Sequence, residues 1–220
     1  MPSDPKENPP AQLELGVIGN GTVAALVDPR GSIVWSCLPT FDADPAFCAL
    51  LSPREGGGDW SIELLDLACS GQQYDPNTAV LITRLHDHHG GAIEITDFAP
   101  RYRTHGRMFH PVMLVRRVRP LHGSPRVRVR MRPRNRYGAE AAPATSGSNH
   151  LRYRLADTTL RLTSDVPVPM IERALPFGLD RAAHFVFGPD ETLNDSPADF
   201  VSLALKRTRE YWLDWVRYLS

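Results

Sequence analysis

Short runs in which hydrophobic and polar residues alternate fill most of the chain from residue 13 to about residue 190. The runs are rich in β-branched and aromatic side chains, and Gly, Pro, Asn and Asp separate them at short intervals. This pattern predicts antiparallel strands joined by tight turns, and therefore an all-β sandwich rather than β-α-β units. The predicted strands are residues 13–18, 22–27, 32–38, 60–64, 79–86, 92–98, 112–119, 126–132, 150–155, 159–163, 167–171 and 184–187.

The last part of the chain has a helical rather than a strand-like pattern. Ser196 is a suitable N-cap, Pro197 fits the first helical position, and Asp199 places an acid in the first turn. Apolar residues then recur at intervals of three and four and form one apolar face. This face consists of Val201, Leu205, Trp212, Trp215, Val216 and Leu219. Because it still carries two tryptophans in its last turns, we expect the helix to pack on a domain further along the chain.

These patterns predict three regions. Residues 1–12 are polar and rich in proline, which is typical of a disordered leader rather than of a signal peptide. Residues 13–195 are expected to form the β-sandwich domain, and residues 196–220 the helix. The printed sequence stops without a helix-terminating glycine, so we expect this helix to link the sandwich to a further domain.

Composition excludes several classes of protein. The chain has 220 residues, of which 42% are hydrophobic and 23% charged, as in ordinary globular proteins. Its 25 basic and 25 acidic residues balance, so no net charge draws it to nucleic acid or to a membrane surface. No apolar run approaches the ~18 residues of a membrane span. The three cysteines, Cys37, Cys48 and Cys69, are an odd number that favours a reducing compartment, and we expect a cytoplasmic protein.

Residues 86–89, His-Asp-His-His, are a candidate metal site because imidazole and carboxylate groups are good zinc ligands. The cluster lies between two predicted strands and is followed by Gly90 and Gly91, as in a polar hairpin turn. Adjacent residues of a strand also point to opposite faces, which makes it difficult for all four side chains to reach one ion. We therefore interpret the cluster as a turn and expect no metal and no cofactor.

Arginine occupies every second position from residue 126 to residue 136, with hydrophobic residues between the first four. Period-two alternation puts the arginines on one face of a strand, where they could bind phosphate groups. The simpler interpretation is a solvated sheet face or edge, where clustered charge discourages edge-to-edge pairing. Since the net charge is zero and no nucleic-acid-binding motif is present, we expect no nucleic-acid partner.

The glycine-rich and acidic segments do not form a recognisable active site. Residues 19–21 and 56–58 lack the Walker lysine and do not open a helix, so both are expected to be turns. Asp42 and Asp44 could serve a glycosidase as an acid pair, but aspartates in a proline-rich turn commonly cap backbone groups. The residues alone therefore assign no catalytic group.

One segment is more specific to a single protein family than any of these features. Residues 31–42 read Gly-Ser-Ile-Val-Trp-Ser-Cys-Leu-Pro-Thr-Phe-Asp. This segment resembles the signature near the amino terminus of bacterial proteins in glycoside hydrolase family 15, the glucoamylase and trehalase-like group, although Val34 and Thr40 depart from its usual aspartate and arginine. Further segments resemble that family in the expected order, namely residues 19–27, 74–78, 96–101, 132–138 and 208–215.

The resemblance implies an amino-terminal β-supersandwich that a helix connects to an (α/α)6 barrel. In that family two glutamates of the barrel act as acid and base in an inverting cleavage of α-glucosides, with room for water between them. For this chain the resemblance implies an accessory domain without catalytic residues, whose partner is the barrel of the same parent chain. Maltose-type ends, trehalose and other glucosides all stay open as substrates of the parent enzyme.

Two groups of residues are expected to face that barrel or its substrate. The first belongs to the turn after the third predicted strand and consists of Trp35, Pro39, Phe41 and Asp42. The second is the apolar helix face, represented by Val201, Leu205, Trp212 and Trp215. Exposed, this face would be large for a soluble monomer, so in the isolated chain it either folds back on the sandwich or pairs with a second copy. A stand-alone carbohydrate- or protein-binding module stays open as an alternative function.

Overall fold

The computed structural model describes residues 14–51 and 57–218, in which most regular structure is antiparallel β-sheet. The strands are, in chain order, β1 (Gly16–Gly19), β2 (Ala24–Val27), β3 (Ile33–Cys37), β4 (Pro45–Cys48), β5 (Trp60–Leu64), β6 (Leu67–Tyr74), β7 (Leu81–Asp87), β8 (Ala92–Phe98), β9 (Tyr102–Thr104), β10 (Arg107–Phe109), β11 (Leu114–His122), β12 (Arg126–Met131), β13 (Arg134–Asn135), β14 (Glu140–Ala141), β15 (Ala144–Ser146), β16 (His150–Arg154), β17 (Thr159–Ser164), β18 (Phe177–Gly178) and β19 (Ala183–Pro189). Two helices accompany them in the described ranges, α1 (Val168–Glu172) and α2 (Pro197–Arg217). The expected all-β sandwich with a carboxy-terminal helix is confirmed.

Two large sheets lie face to face. The first has the strand order β1-β2-β3-β5-β12-β18, with β4 paired to β3, and the second has the order β15-β16-β17-β19-β11-β8-β7-β6. Two small strand pairs, β9–β10 and β13–β14, lie outside these sheets. Trp60 of the first sheet packs edge-on against Phe185 and Phe187 of the second, with ring centroids 6.5 and 5.9 Å apart. The hydrophobic core therefore lies between the sheets, where the two-residue alternation directs one side of each strand.

A buried ion pair of the second sheet is hydrogen-bonded across this core to the first sheet. Arg116 of β11 and Asp97 of β8 are both fully buried, and Nε of Arg116 lies 2.8 Å from Oδ1 of Asp97. The same guanidinium donates to the carbonyl oxygen of Trp60, at 2.7 Å, and to that of Gly31. Gly31 has a φ of +80°, and a side chain there would lie 2.9 Å from Cδ1 of Ile95, so the position favours glycine. The first residue of the 31–42 signature is thus explained by core packing.

Most of the predicted strands are confirmed, with ends displaced by up to three residues. The prediction for residues 167–171 is wrong, because they form most of α1. Pro169 lies in the first turn of that helix, where the fixed φ of proline is favourable, and a short apolar run does not distinguish strand from helix. The pattern also missed β6, an edge strand whose mostly small or polar residues are largely exposed and carry no alternation.

A few sequence predictions concern positions outside the described residues. They include the leader at residues 1–12, the first residue of the strand predicted at 13–18, Gly56 of the glycine-rich turn, and the last two residues of the helix region, Leu219 and Ser220. Neither of the two described helices has the length and apolar content that crossing a bilayer requires.

Helix α2 begins where the sequence predicts, with Oγ of Ser196 accepting a hydrogen bond from the backbone N–H of Asp199 at 3.2 Å. Val201 and Leu205 are buried against the outer face of the second sheet, at 0% and 3% exposure. Two of the helix residues expected to face a further domain therefore contact the sandwich of this chain instead. Of the two arrangements left open for the isolated chain, this half of the helix has the one in which it folds back on the sandwich. The physical reason is that β8, β11 and β19 carry apolar side chains on both faces, including Phe98 on the face towards α2.

Candidate functional site at the junction of helix and sandwich

Four of the sequence segments that resemble the glycosidase family meet where α2 lies on the second sheet. They come from the β1–β2 turn, the β6–β7 turn, the end of β8 and the middle of α2. The polar contacts between these segments hold the helix at a fixed position. We call this place the helix junction, and it consists of Asn20, Asp75, Arg101, Thr208, Arg209 and Tyr211.

Asn20 is the buried centre of the helix junction, with 1% of its surface exposed. Its amide nitrogen donates to the carbonyl oxygens of Pro100, at 3.1 Å, and Pro111, at 2.8 Å. Its amide oxygen accepts from the backbone N–H groups of Thr22, at 2.9 Å, and Val23, at 3.1 Å. Both ends of the side chain are therefore used, and the predicted turn is confirmed at Asn20 and Gly21, whereas Gly19 is the last residue of β1.

Arg101 connects this turn to the helix. Its guanidinium donates to the carbonyl oxygen of Asn20 and, through Nε, to the hydroxyl of Tyr211 at 2.9 Å. The guanidinium carbon also lies 5.2 Å from the centre of the Tyr211 ring, within the range of a cation–π contact. The backbone N–H of Arg101 donates to Oγ1 of Thr208 at 3.2 Å. Gly21 accommodates this arginine, because a side chain there would lie 2.9 Å from its Nη1.

An ion pair adds a second attachment. Nε of Arg209 lies 2.6 Å from Oδ2 of Asp75, in the turn between β6 and β7. That turn is closed by its own hydrogen bonds, since the backbone N–H of Asp75 donates to the carbonyl of Val80 at 2.9 Å and Oγ1 of Thr78 donates to the carbonyl of Asp75 at 2.8 Å. Helix α2 is therefore fastened to two different loops of the sandwich.

Beyond the helix junction, the last turns of α2 carry a chain of rings that we call the aromatic end, namely Tyr211, Trp212, Trp215 and Tyr218. The ring centroids of Tyr211 and Trp212 are 5.2 Å apart, and those of Trp212 and Trp215 are 5.8 Å apart. Trp212 is half-buried, whereas Trp215 is 48% exposed and Tyr218 is 89% exposed. A groove of about 850 Å³ lies between the aromatic end and the β9–β10 pair. Of the predicted interdomain residues, Trp215 and part of Trp212 thus remain at the surface.

The other predicted group, in the turn after β3, lies on the first sheet. Trp35 is half-buried on β3, Pro39 follows a cis peptide bond, and Phe41 is 58% exposed. The turn is held by Asp44, whose carboxylate accepts from the backbone N–H groups of Arg136 and Tyr137. No hydrogen bond, ion pair or ring contact among the described residues joins this turn to α2, so the two predicted groups do not form one site.

The acid pair in that turn caps polar groups, as the sequence interpretation expects. Oδ1 of Asp42 accepts the hydroxyl hydrogen of Thr40 at 2.7 Å, and this bond lowers the pKa of the Asp42 carboxyl. A glycosidase acid needs a carboxyl pKa shifted upwards, so Asp42 is poorly suited to that role. Both oxygens of Asp44 are occupied by backbone N–H groups.

The arginine strand β12 forms ion pairs on the solvated side of the first sheet. Nη1 atoms of Arg128 and Arg130 lie 3.5 and 3.1 Å from the carboxylate of Glu63, and Nη2 of Arg132 lies 2.6 Å from that of Asp59. The hydrophobic residues between these arginines are buried. The interpretation as a solvated sheet face is confirmed.

The histidine cluster at residues 86–89 forms the hairpin turn between β7 and β8. Oδ1 of Asp87 accepts from the backbone N–H groups of His89 and Gly91, both at 2.7 Å, which closes the turn. The interpretation as a turn is confirmed. In the part of the chain that the structure describes, no three His, Cys, Asp or Glu side chains are placed to share a metal ion.

Sequence reasoning did not identify the helix junction as a site. Asn20 and Arg101 lie in loops, where polar residues are common, and their partners lie far along the chain. Asn20 is 80 positions from Pro100, and Arg101 is 110 positions from Tyr211. The available signal was the resemblance itself, because each of these residues belongs to one of the quoted segments.

Comparison with known proteins identifies relatives of this chain. A family model described as trehalase-like, N-terminal, matches residues 7–166, which is nearly three quarters of the chain. A trehalase of Thermoplasma volcanium is 33% identical over 87 residues, or 39% of this chain and 14% of that relative. Trehalase 1 of Sulfolobus acidocaldarius is 41% identical over 88 residues, or 39% of this chain and 15% of that relative. No solved structure matches the chain.

The matches with the two curated trehalases span only about one seventh of their length. The family model extends from before β1 to the end of β17, so it includes strands of both sheets. It also includes the sandwich side of the helix junction, that is Asn20, Asp75 and Arg101. The chain belongs to the trehalase-like N-terminal domain family.

Proposed function

We propose that this chain is the accessory N-terminal domain of a glycoside hydrolase of family 15, and that it holds the catalytic domain in place without taking part in the chemistry. In this proposal, residues 13–195 are the scaffold and residues 196–220 link it to an (α/α)6 barrel of the same parent chain. The barrel carries out the inverting hydrolysis of an α-glucoside. Both curated relatives are trehalases, so trehalose is the substrate proposed for the parent enzyme.

The observation that carries the proposal is the division of α2 into two halves. The first half is buried on the sandwich and fastened at the helix junction. The second half projects Trp215 and Tyr218 into solvent, together with the half-exposed Leu213. Exposed aromatic groups on a rigid support are typical of surfaces that another domain covers. A helix held in this way transmits its position to whatever packs on its aromatic end.

The environments of the buried and turn carboxylates support a non-catalytic role. An inverting glycosidase needs two carboxyl groups about 6.5–9.5 Å apart that face a space for sugar and water. Asp42 and Asp44 cap the turn after β3, Glu94 is shared by two arginines, and Asp97 is enclosed with Arg116 in the core. These four carboxylates are thus already engaged in structural contacts.

A cytoplasmic location is part of the proposal. Cys37, Cys48 and Cys69 form no disulfide in the described structure. Cys48 is buried, and burial raises the pKa of its thiol. Such a thiol is unreactive, which is compatible with a structural residue in a reducing compartment.

Glucose release tests the division of labour. The 220-residue chain by itself, which we call the printed chain, should release no glucose from trehalose or maltose. The full-length parent protein should release glucose from trehalose. An antibody against this domain should detect, in the source cells, a species much heavier than a 220-residue chain. Glucose release by the printed chain, or a native species of its own size, would contradict the proposal.

Thermal unfolding tests the role of the aromatic end. Trp215→Ala should lower the unfolding midpoint of the full-length protein and leave that of the printed chain nearly unchanged, because Trp215 is 48% exposed in the latter. Leu175→Ala, at a 39% exposed position remote in sequence from α2, is the matched control and should change neither. Equal midpoints for the full-length protein with and without Trp215 would count against an interdomain contact here.

A carbohydrate-binding module is a second candidate, favoured by two exposed rings on joined loops. Phe41 is 58% exposed and Tyr137 is 65% exposed, and Asp44 connects their loops through the backbone N–H of Tyr137. Sugar rings stack on such aromatic faces. Calorimetric titration of the printed chain with maltooligosaccharides should show binding that Tyr137→Ala removes if this function is correct, and no heat if it is not.

A further inference from the structure

A band of charge lies on the outer face of the second sheet, beside the row of residues that α2 covers. Directly paired residues of neighbouring strands place their side chains on the same face, and residues two apart on one strand share that face. Val115 of β11 lies in the cluster under α2. Arg117, two residues further, is paired with Thr96 of β8, and Arg119 is paired with Glu94.

The surface that we call the arginine band consists of Arg84, Arg117 and Arg119, and it holds more positive than negative charge. Glu94, which is 3% exposed, lies 3.1 Å from Nη2 of Arg84 and 2.9 Å from Nε of Arg119, so two arginines share one carboxylate. Arg117 is in none of the ion pairs of the described residues, and its Nε is buried without a hydrogen-bond partner. The arginine band therefore lacks an acceptor at Arg117.

Two further buried groups on this side of the sheet lack a partner. Oγ1 of Thr96, directly opposite Arg117 and 1% exposed, has no hydrogen-bond partner in the described ranges, and neither has Nε1 of Trp212. Trp212 lies one turn of α2 beyond Arg209, and the positive charge of Arg209 contributes to lowering the pKa of Arg117. Three groups able to donate thus have no acceptor among the described residues, and a buried donor without an acceptor is unfavourable.

The electrostatics indicate which acceptor would fit. Burial, together with the charges of Arg119 and Arg209, lowers the pKa of Arg117, although a guanidinium stays protonated in proteins. A neutral acceptor would leave this surplus positive charge uncompensated. A carboxylate compensates it and accepts two parallel N–H bonds from one arginine.

We propose that Arg117 binds a carboxylate side chain of the catalytic domain, so that the arginine band and the aromatic end form one docking surface. The inference rests on the proposed function above, since it names how the accessory domain recognises its neighbour. Trp215, which is 48% exposed and contacts the ring of Trp212, offers an apolar contact on the same helix as Arg209. The partner surface is therefore expected to combine an acidic residue with an apolar patch.

The test compares one variant in two proteins. The proposal predicts that it stabilises the printed chain and destabilises the end of α2 in the full-length protein. In the printed chain, Arg117→Met removes an unpaired, partly buried charge and keeps an apolar stem, so the unfolding midpoint should rise by about 2 °C. In the full-length protein, the same variant removes the partner of the carboxylate. Amide hydrogen exchange of residues 209–216 should then become about tenfold faster.

Two further variants make the test specific. Arg128→Gln is the matched control, because Arg128 and Arg130 share Glu63 on the first sheet as Arg84 and Arg119 share Glu94 on the second. It should change neither the midpoint of the printed chain nor the exchange in the full-length protein. Arg117→Lys keeps the charge but loses the bidentate hydrogen-bond geometry. In the full-length protein its amide exchange rate at residues 209–216 should lie between those of the unsubstituted protein and of Arg117→Met.

The outcomes separate this inference from the proposed function. If Trp215→Ala accelerates exchange in the full-length protein and Arg117→Met does not, the arginine band is not the contact, although the proposed function stands. If neither variant accelerates exchange, the proposed docking of a catalytic domain fails as well. A dimer of the printed chain in sedimentation that Arg117→Met dissociates would identify a second copy as the occupant and would overturn the inference.

Discussion

Arg116 and Arg117 are neighbours on β11, yet they lie on opposite faces of the second sheet and in opposite situations. Arg116 faces the core, where all three of its nitrogens donate, to Asp97 and to the carbonyls of Trp60 and Gly31. Arg117 faces the side of α2, and its Nε has no hydrogen-bond partner in the part of the chain that the structure describes. On the inner face the charge of Arg116 is paired within this chain, whereas the outer face is only partly covered by α2.

The difference shows where the chain supplies its own partners and where it does not. A fully buried charge is tolerated only when it is paired and hydrogen-bonded, and Arg116 is paired with Asp97 of its own sheet and donates to the Trp60 carbonyl of the other. The outer face has an apolar part that α2 covers and a charged part beside it. Four substitutions test this contrast between the faces.

The largest effect is expected on the inner face. Arg116→Met would leave Asp97 buried without a counterion and should lower the free energy of unfolding by about 3–5 kcal/mol. Urea unfolding followed by tryptophan fluorescence measures the loss. The double variant Arg116→Met/Asp97→Asn should recover part of it, because no buried charge remains. A loss below about 1 kcal/mol for the single variant would mean that the pair does not support the core.

The covered part of the outer face should respond next. Leu205→Ala removes a side chain of α2 that is 3% exposed and packed against the second sheet. The free energy of unfolding should therefore fall by about 3 kcal/mol. Leu203→Ala is the matched control on the same helix, because Leu203 is 44% exposed, and it should cost less than about 0.5 kcal/mol. Similar losses for both variants would contradict the orientation of the helix.

The helix junction comes third. Asn20→Ala leaves two carbonyl groups and two N–H groups without their present partners, and we expect a loss of about 2 kcal/mol in urea unfolding. Asn194→Ala, at an exposed position just before α2, is the control and should be nearly neutral. An equally small effect of Asn20→Ala would show that the buried amide is dispensable.

The smallest effect sharpens the boundary between the two halves of α2. Tyr211→Phe removes only the hydroxyl that accepts from Nε of Arg101, at 2.9 Å, and should cost about 1 kcal/mol. Tyr218→Phe, at an 89% exposed position, should cost nothing in the printed chain. Amide exchange along α2 would locate the change, which should be confined to the last turns. Faster exchange in the buried first half would contradict this division.

Much of the fold could be predicted from local patterns, and the exceptions have physical causes. Residues 60–64 and 92–98 have the predicted bounds because alternation and turn residues act within a few positions. The edge strand β6 has few buried side chains, so burial leaves no mark on its sequence. The prolines at 167 and 169 favour a helical turn, which a short apolar run does not reveal.

The candidate site was less accessible to prediction than the fold. The helix face was predicted correctly as apolar, but periodicity says which residues share a face and not what lies against it. Val201 and Leu205 therefore turned out to contact the sandwich itself. The family resemblance marked the segments of the helix junction without revealing that Asn20, Arg101 and Tyr211 contact one another.

Local sequence thus sufficed for the alternating strands, for the turn at Gly31 and for the helix start at Ser196, because steric limits and capping act between near neighbours in the chain. Tertiary structure alone decided that Arg116 is paired and Arg117 is not, although both are arginines on one strand. The partners of Arg116 come from positions up to 85 residues away, and only folding brings them within hydrogen-bond distance. A pattern of period two assigns these neighbours to opposite faces, but the covering of each face depends on which distant segments pack there.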